Sequence, residues 1–199
     1  MKVWYDTEFL DDGRLIDLIS IGMVREDGAE YYAINAQMPW VRILQHDWLV
    51  ENVVNHLPKT KYGVSLDHEN PDVKPHHVIK SEVETFLLEA FEVKGELELW
   101  SWFSAYDHVA LAQLWGPMSN LPAFIPMYTN EIRTLFQIYN NPKINVPEGN
   151  HNALADAHYH KNLYNAIKVH ANRQYKEDVL LAMHPEIGHW CPEGHLHKD

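Results

Sequence analysis

Cysteine is almost missing from this chain: Cys191 is the single one in 199 residues. That excludes an internal disulfide and fits a reducing compartment. Long apolar runs are missing too, and none approaches the ~20 residues a membrane-spanning helix needs. Positive charge is scarce, with Lys and Arg totalling 16 against 28 Asp and Glu, for a net charge of −12. Such a balance argues against a non-specific DNA coat or a polybasic membrane binder, both of which need positive fields. It leaves room for a nuclease whose acids hold cations that in turn hold phosphate. The opening Met1-Lys2-Val3-Trp4-Tyr5-Asp6 meets an acid at once and does not read as a signal peptide. A cytoplasmic location is expected.

What remains is ordinary globular composition, 46% hydrophobic and 22% charged. A chain of this length forms one domain by default and buries roughly 70% of its unfolded surface. The expected division is a single domain over 1–183 and a His-rich tail over 184–199. His184, His189, Cys191, His195 and His197 in that tail match no structural zinc spacing. The tail reads as a flexible or partner-docking segment.

Val3 to Leu10, Leu15 to Val24 and Glu30 to Ile34 read as strands joined by Asp-Asp-Gly and Glu-Asp-Gly turns. They predict an antiparallel meander. Helical spacing follows over Trp40 to His56, ended by Pro58. A polar loop covers 58–77, and a loop of that length is usually functional or mobile. A helix is expected over Val78–Val93 and a strand over Leu97–Phe103. Asp107–Trp115 then reads as a helix, Ile125–Tyr128 as a short strand and Asn130–Tyr139 as a helix. A long helix is expected from about Asn152 to Asn172. The order predicts an α/β fold: a mixed sheet in which the meander is extended by later strands through helical crossovers, with helices on both faces.

The first strand carries the sharpest chemical signal. Side chains alternate along a strand, so Asp6 and Glu8 share a face roughly 7 Å apart. Two carboxylates side by side on a central strand repel each other, and burial raises the cost. An edge position or a nearby arginine would excuse the pair structurally. The functional alternative is a divalent cation, and oxygen-only ligands suit Mg²⁺ or Mn²⁺. Asp107 stands just past the fourth strand, in the first turn of a helix. Alone it is an acid that favours the helix dipole. It gains weight because open α/β sheets place their sites past strand ends. At about 100° per residue, Asp156 falls on the face of its helix that carries His160, Leu163, Ile167 and Ala171. Lys161, Lys168 and Lys176 lie on the opposite side and read as a solvated stripe. His151 precedes Asp156 by five residues, in HNALAD at 151–156.

Taken together, these segments resemble the DEDDh 3′→5′ exonucleases of the ribonuclease H-like superfamily. YDTEF at 5–9 matches the first motif, followed by LISIG at 18–22. AYDHVAL at 105–111 matches the second, and HNALAD the third with its H-x4-D spacing. The tyrosine-type variant needs Tyr four residues before the last Asp, where this chain has Asn152. Within the family the stretches YDTEFLDDG, HLP at 56–58 and AYDHVALAQLWGPMSNLP at 105–122 resemble a small actinobacterial polyadenylate-specific branch, or bacteriophage relatives of it. The resemblance covers about residues 1–172.

It implies a ribonuclease H-like fold and two-metal phosphodiester hydrolysis. Asp6, Glu8 and Asp156 would hold one Mg²⁺ or Mn²⁺. Asp6 would be shared with a second, supported by Asp107, and His151 would act as general base. The implied substrate is single-stranded RNA with a free 3′ end, adenylate preferred, released as nucleoside 5′-monophosphates. Phe9 and Leu10 are where the family wedges the terminal base. Tyr106 is a candidate stacking residue, with Trp102, Phe103 and Trp115; core packing is the alternative for each. A homodimer is implied as well. A proofreading-type DNA exonuclease, or a non-catalytic RNA-binding module on the same fold, are the competing readings.

Overall fold

The computed structural model describes residues 1–61, 63, 65–139, 142–143 and 151–183. The expectations for the 184–199 tail, and most of the turn-rich 140–150 stretch, lie outside the described residues. Among the described residues, no helix is long and apolar enough to cross a membrane.

Three strands build the meander as expected: β1 (Lys2–Asp11), β2 (Ile16–Arg25) and β3 (Glu30–Asn35). Neighbours in this trio run antiparallel. Three further strands pair in parallel: β4 (Val73–Lys74) on β3, β5 (Glu98–Ser101) on β1, and β6 (Asn130–Glu131) on β5. The described sheet has six strands in the order β4-β3-β2-β1-β5-β6. β1 therefore lies inside the sheet, which removes the edge position as an excuse for its acids.

Helices cover both faces. α3 (His76–Lys94) and α4 (Ser104–Ala112) pack on one side. There Ile79, Val83, Leu87 and Leu111 meet Val3, Tyr5, Ile21 and Met23. α5 (Ile132–Ile138) and α6 (Ala153–Met183) cover the side that Trp4 faces. Ile132, Leu163, Tyr164 and Ile167 join Trp4 in a second cluster. A third cluster joins Leu10, Ile19 and Ile34 to α1 (Trp40–Ile43), α2 (Asp47–Asn52) and the segment that follows them.

Two details of the sheet aim the site. The β1–β2 ladder slips at Glu8/Phe9, with Ile19 as the extra residue. Leu18 and Ile21 thus join one core cluster while Ile19 joins another. Gly22 lies opposite Asp6 across the ladder. A Cβ there would stand 2.2 Å from the backbone nitrogen of Leu154 and 2.3 Å from the carbonyl carbon of Ala153. The first turn of α6 therefore rests directly on the β2 backbone, and only glycine permits it.

Several sequence expectations need correction. The single helix over Trp40–His56 is two short helices and a 3₁₀ turn over Val54–His56. The break falls at Leu44–His46, where His46 turns extended and its Nδ1 accepts from the amide of Leu49 to cap α2. The 58–77 loop contains β4. Ile125–Tyr128 is not a strand: Pro126 has no amide hydrogen, and the amide of Ile125 turns back to the carbonyl of Pro122. The strand comes later, at Asn130–Glu131, and α5 starts at Ile132. α6 runs on to Met183, well past Asn172. Lys161 does not belong to a solvated stripe, because its Nζ donates to the carbonyl of Arg25 at 2.8 Å and lies over the Trp4 ring.

Gly22→Ala sets a side chain against backbone that has no rotamer to yield. The expected loss is at least about 2 kcal/mol, near the upper half of overpacking costs. That lowers the melting temperature by about 4–8 °C in a chain of this size. An unchanged thermal midpoint would show that α6 does not sit on Gly22.

Candidate active site

A cleft of about 640 Å³ opens at the end of the sheet where β1 outruns β5. Asp6, Thr7, Glu8, Phe9, Trp48, Trp102, Phe103, Tyr106, Asp107, His151, Asp156, Tyr159 and His160 line it. None of them is a lysine or arginine. The five residues singled out from three distant segments, Asp6, Glu8, Asp107, His151 and Asp156, all meet here. Phe9 and Tyr106 do so too.

Three separate devices place the four acids. β1 supplies Asp6 and Glu8 by strand alternation. Its pairing with β5 spans only Lys2 to Trp4. Beyond it, the amide of Thr7 donates to Asp107 Oδ1 at 2.9 Å, and the Thr7 hydroxyl donates to the same oxygen at 2.6 Å. Ser101, the last residue of β5, donates to Asp107 Oδ2. Asp107 is 3% exposed and pinned through both oxygens. Asp156 comes from the first turn of α6. Asn152 starts that helix, its Oδ1 accepting from the amide of Ala155 at 3.1 Å. One turn beyond Asp156, the buried His160 meets the carbonyl of Tyr5 through Nδ1 at 3.0 Å. Its Nε2 lies 4.0 Å from Asp6.

The electrostatics of this cluster are unfavourable as it stands. Burial, then Asp107, Glu8 and Asp156, push the Asp6 carboxyl well above the usual range. Burial and the charges of Asp156 and Asp107 push Glu8 up to about 8. Asp107 rises to about 6 through burial, although the bonds from Ser101 and Thr7 pull it back. His160 offers no compensating charge: burial lowers it to about 4, so it is neutral at pH 7. The arginine that could have excused the first-strand acids is absent from the lining.

A divalent cation resolves this conflict, and the donor set fits one. A ligand atom from each of Glu8, His151 and Asp156 lies within 4.8 Å of the other two. Carboxylate oxygens suit hard divalent cations, and the imidazole adds a nitrogen donor beside them.

Aromatic rings wall the cleft. Phe9 and Tyr106 stack with centroids 6.0 Å apart and planes 18° from parallel. Trp48 meets the His151 ring edge-on at 4.9 Å. Trp102 packs beside Phe103 and Phe136, with the Arg133 guanidinium over its ring. Phe103 and His151 are the two described non-glycine residues with positive φ, at 58° and 54°. Both face the cleft, where backbone strain of this kind gathers in functional sites. Glu131 stabilises the Phe103 turn by accepting from the amides of Phe103 and Ser104.

Two candidates go elsewhere. Leu10 is 4% exposed in the cluster with Ile19 and Ile34 and does not line the cleft. Trp115 is a core residue whose indole nitrogen donates to Glu84. The sequence reading missed Trp48, which counted only as one more apolar position in a helix. It also missed Thr7 and Ser101, since nothing in a sequence marks a hydroxyl that will hold an acid from another segment.

The chain is similar in sequence to known proteins. The family model for the 3′-5′ exoribonuclease Rv2179c-like domain matches residues 59–168, a span that holds Asp107, His151 and Asp156. The 3′-5′ exoribonuclease Rv2179c of Mycobacterium tuberculosis (strain ATCC 25618 / H37Rv) is 39% identical over 158 residues. The match covers 79% of this chain and 87% of that relative. The 3′-5′ exoribonuclease MT2234.1 of the CDC 1551 / Oshkosh strain matches with the same figures.

The acid cluster sets the pH dependence of the metal-free protein. Glu8 ionises near 4.5 when unfolded and near 8 when folded. Its contribution to stability is full below about pH 4.5 and is lost as pH rises through 8. The melting temperature without metal is expected to fall between pH 5 and 8.5, and to fall less in Glu8→Gln. Added Mn²⁺ should raise it more at pH 8.5 than at pH 5. A metal-free midpoint with the same pH profile in wild type and Glu8→Gln would contradict the electrostatic assignment.

Proposed function

This chain belongs to the Rv2179c-like 3′-5′ exoribonuclease family, and we propose that it removes nucleotides one at a time from single-stranded RNA 3′ ends, preferring adenylate. The observation that carries this reading is the convergence of Asp6, Glu8, Asp107, Asp156 and His151 on one aromatic-walled cleft. The working unit in this reading is one domain over 1–183, acting as a homodimer. The exposed Tyr175, Val179 and Met183, spaced four apart along one face of α6, support the latter.

In this reading Asp6, Glu8 and Asp156 would hold one divalent cation, and Asp6 would hold a second, supported by Asp107 directly or through water. Such a pair, Mg²⁺ or Mn²⁺, would supply positive charge to neutralise the phosphate and to favour the attacking and leaving oxygens. Phe9 and Tyr106 receive the terminal base by stacking. His151 takes a proton from the attacking water. The water oxygen bonds to phosphorus and the bond to the bridging 3′ oxygen breaks. A nucleoside 5′-monophosphate leaves, and the shortened RNA keeps a 3′-hydroxyl after protonation. Thr7 and Ser101 hold Asp107 still while charge shifts around it. Preference for RNA over DNA requires recognition of the 2′-hydroxyl.

The test is digestion of a labelled single-stranded oligo(A) RNA and its DNA counterpart with Mg²⁺ or Mn²⁺. Stepwise release of 5′-AMP from RNA is expected, slower release from oligo(U), and none from DNA. Asp6→Ala should retain less than about a thousandth of the rate, a barrier rise of about 4 kcal/mol. Equal digestion of DNA would point to a proofreading-type exonuclease. Silence on both from folded protein would point to a binding module.

A further inference from the structure

The His151 ring reaches the acid cluster from a strained position. Its backbone is left-handed, at φ 54°, and its side chain is exposed. It stands two residues before α6, so the helix ladder does not hold it. Its ring contact among the described residues is with Trp48, centroids 4.9 Å apart and planes 77° from parallel. That geometry sets one ring edge on the other's face, the arrangement aromatic pairs favour.

Trp48 is unusual for its surroundings. It belongs to α2, whose Leu49 and following Val53 are buried in the cluster with Leu10 and Ile19. Those residues anchor the segment, while the indole stays 48% exposed and lines the cleft. The break at Leu44–His46 sets the direction. An unbroken helix over 40–56 would carry residue 48 on the face fixed by Leu44 and Trp40, whereas the capped restart at Asp47 lets it turn separately. The indole adds little to the core, and its described contact of note is His151.

We propose that Trp48 is a positioning residue that holds the His151 imidazole over the acid cluster. α2 thereby becomes part of the catalytic machinery through His151 and not through a ligand of its own. The proposal rests on the reading of His151 as general base. It predicts a loss in kcat rather than in KM, because misplacing the base harms the transition state and not ground-state binding.

Single-turnover rates on oligo(A) RNA, in wild-type and His151→Ala backgrounds, test it. Trp48→Ala should slow wild type roughly tenfold to a hundredfold with KM within about twofold. Trp48→Phe should recover most of the rate, since a ring face remains. Trp48→Ala should add less than about twofold to His151→Ala, because a residue acting through another has no effect once that other is gone. The His151 ring-proton resonance, identified by its loss in His151→Ala, should shift in Trp48→Ala as the indole ring current disappears. Equal slowing by Trp48→Ala in both backgrounds would overturn the proposal and make Trp48 a substrate contact. So would a resonance that does not move, or wild-type kcat in Trp48→Ala. A fully active His151→Ala would instead overturn the base assignment itself, and the proposal with it.

Discussion

Mutual repulsion among Asp6, Glu8, Asp107 and Asp156 is the constraint around which the molecule is arranged. A buried carboxylate without compensation is expensive, and like charges nearby make it more so. This fold collects four carboxylates in one cleft, Glu8 and Asp107 buried and Asp6 and Asp156 half-buried, and the cleft lining has no lysine or arginine. Asp6 and Glu8 respond by holding protons far above the ordinary carboxylate range. An interior selected only for stability would have apolar residues there. The arrangement becomes reasonable when cations occupy the cleft, and with them an acidic chain of net charge −12 can receive a phosphate backbone.

Holding those groups together against their repulsion takes rigid supports. The paired first strand holds two acids at a fixed spacing. The shortness of β5 leaves the Thr7 amide free to bind Asp107, and Ser101 fastens its other oxygen. The missing side chain at Gly22 lets the first turn of α6 settle onto β2 opposite Asp6, so Asp156 arrives at the right depth. His160, neutral and bonded to the carbonyl of Tyr5, ties the next turn to the same strand. Each support is local and inexpensive, and together they define the cleft.

Much of this was legible in the sequence, for physical reasons. The meander announced itself through apolar runs punctuated by Asp-Gly turns, a local signal. Asp6 and Glu8 stood out because strand alternation is a fixed period, and Asp156 because helical angle places it with Leu163 and Ile167. The misses share a cause. β4 and β6 are two residues each, too short to show a pattern, and exist because a neighbouring strand offers hydrogen bonds. The break in 40–56 depends on a side-chain cap at His46, which periodicity does not register. Leu10 continues the motif in sequence, but the shift of register at Glu8/Phe9 accompanies its turn into the core. Trp48 and Ser101 reach the site only through tertiary packing.

The account stands on the claim that the acids hold cations in place of protons. Calorimetric titration of Mn²⁺ into the metal-free protein at pH 7, in buffers of different ionisation enthalpy, measures this directly. The account predicts two ions bound per chain, with net release of protons as Glu8, pushed up to about 8 without metal, ionises on binding. Folded protein that binds no Mn²⁺, or binds it without releasing protons, would contradict it.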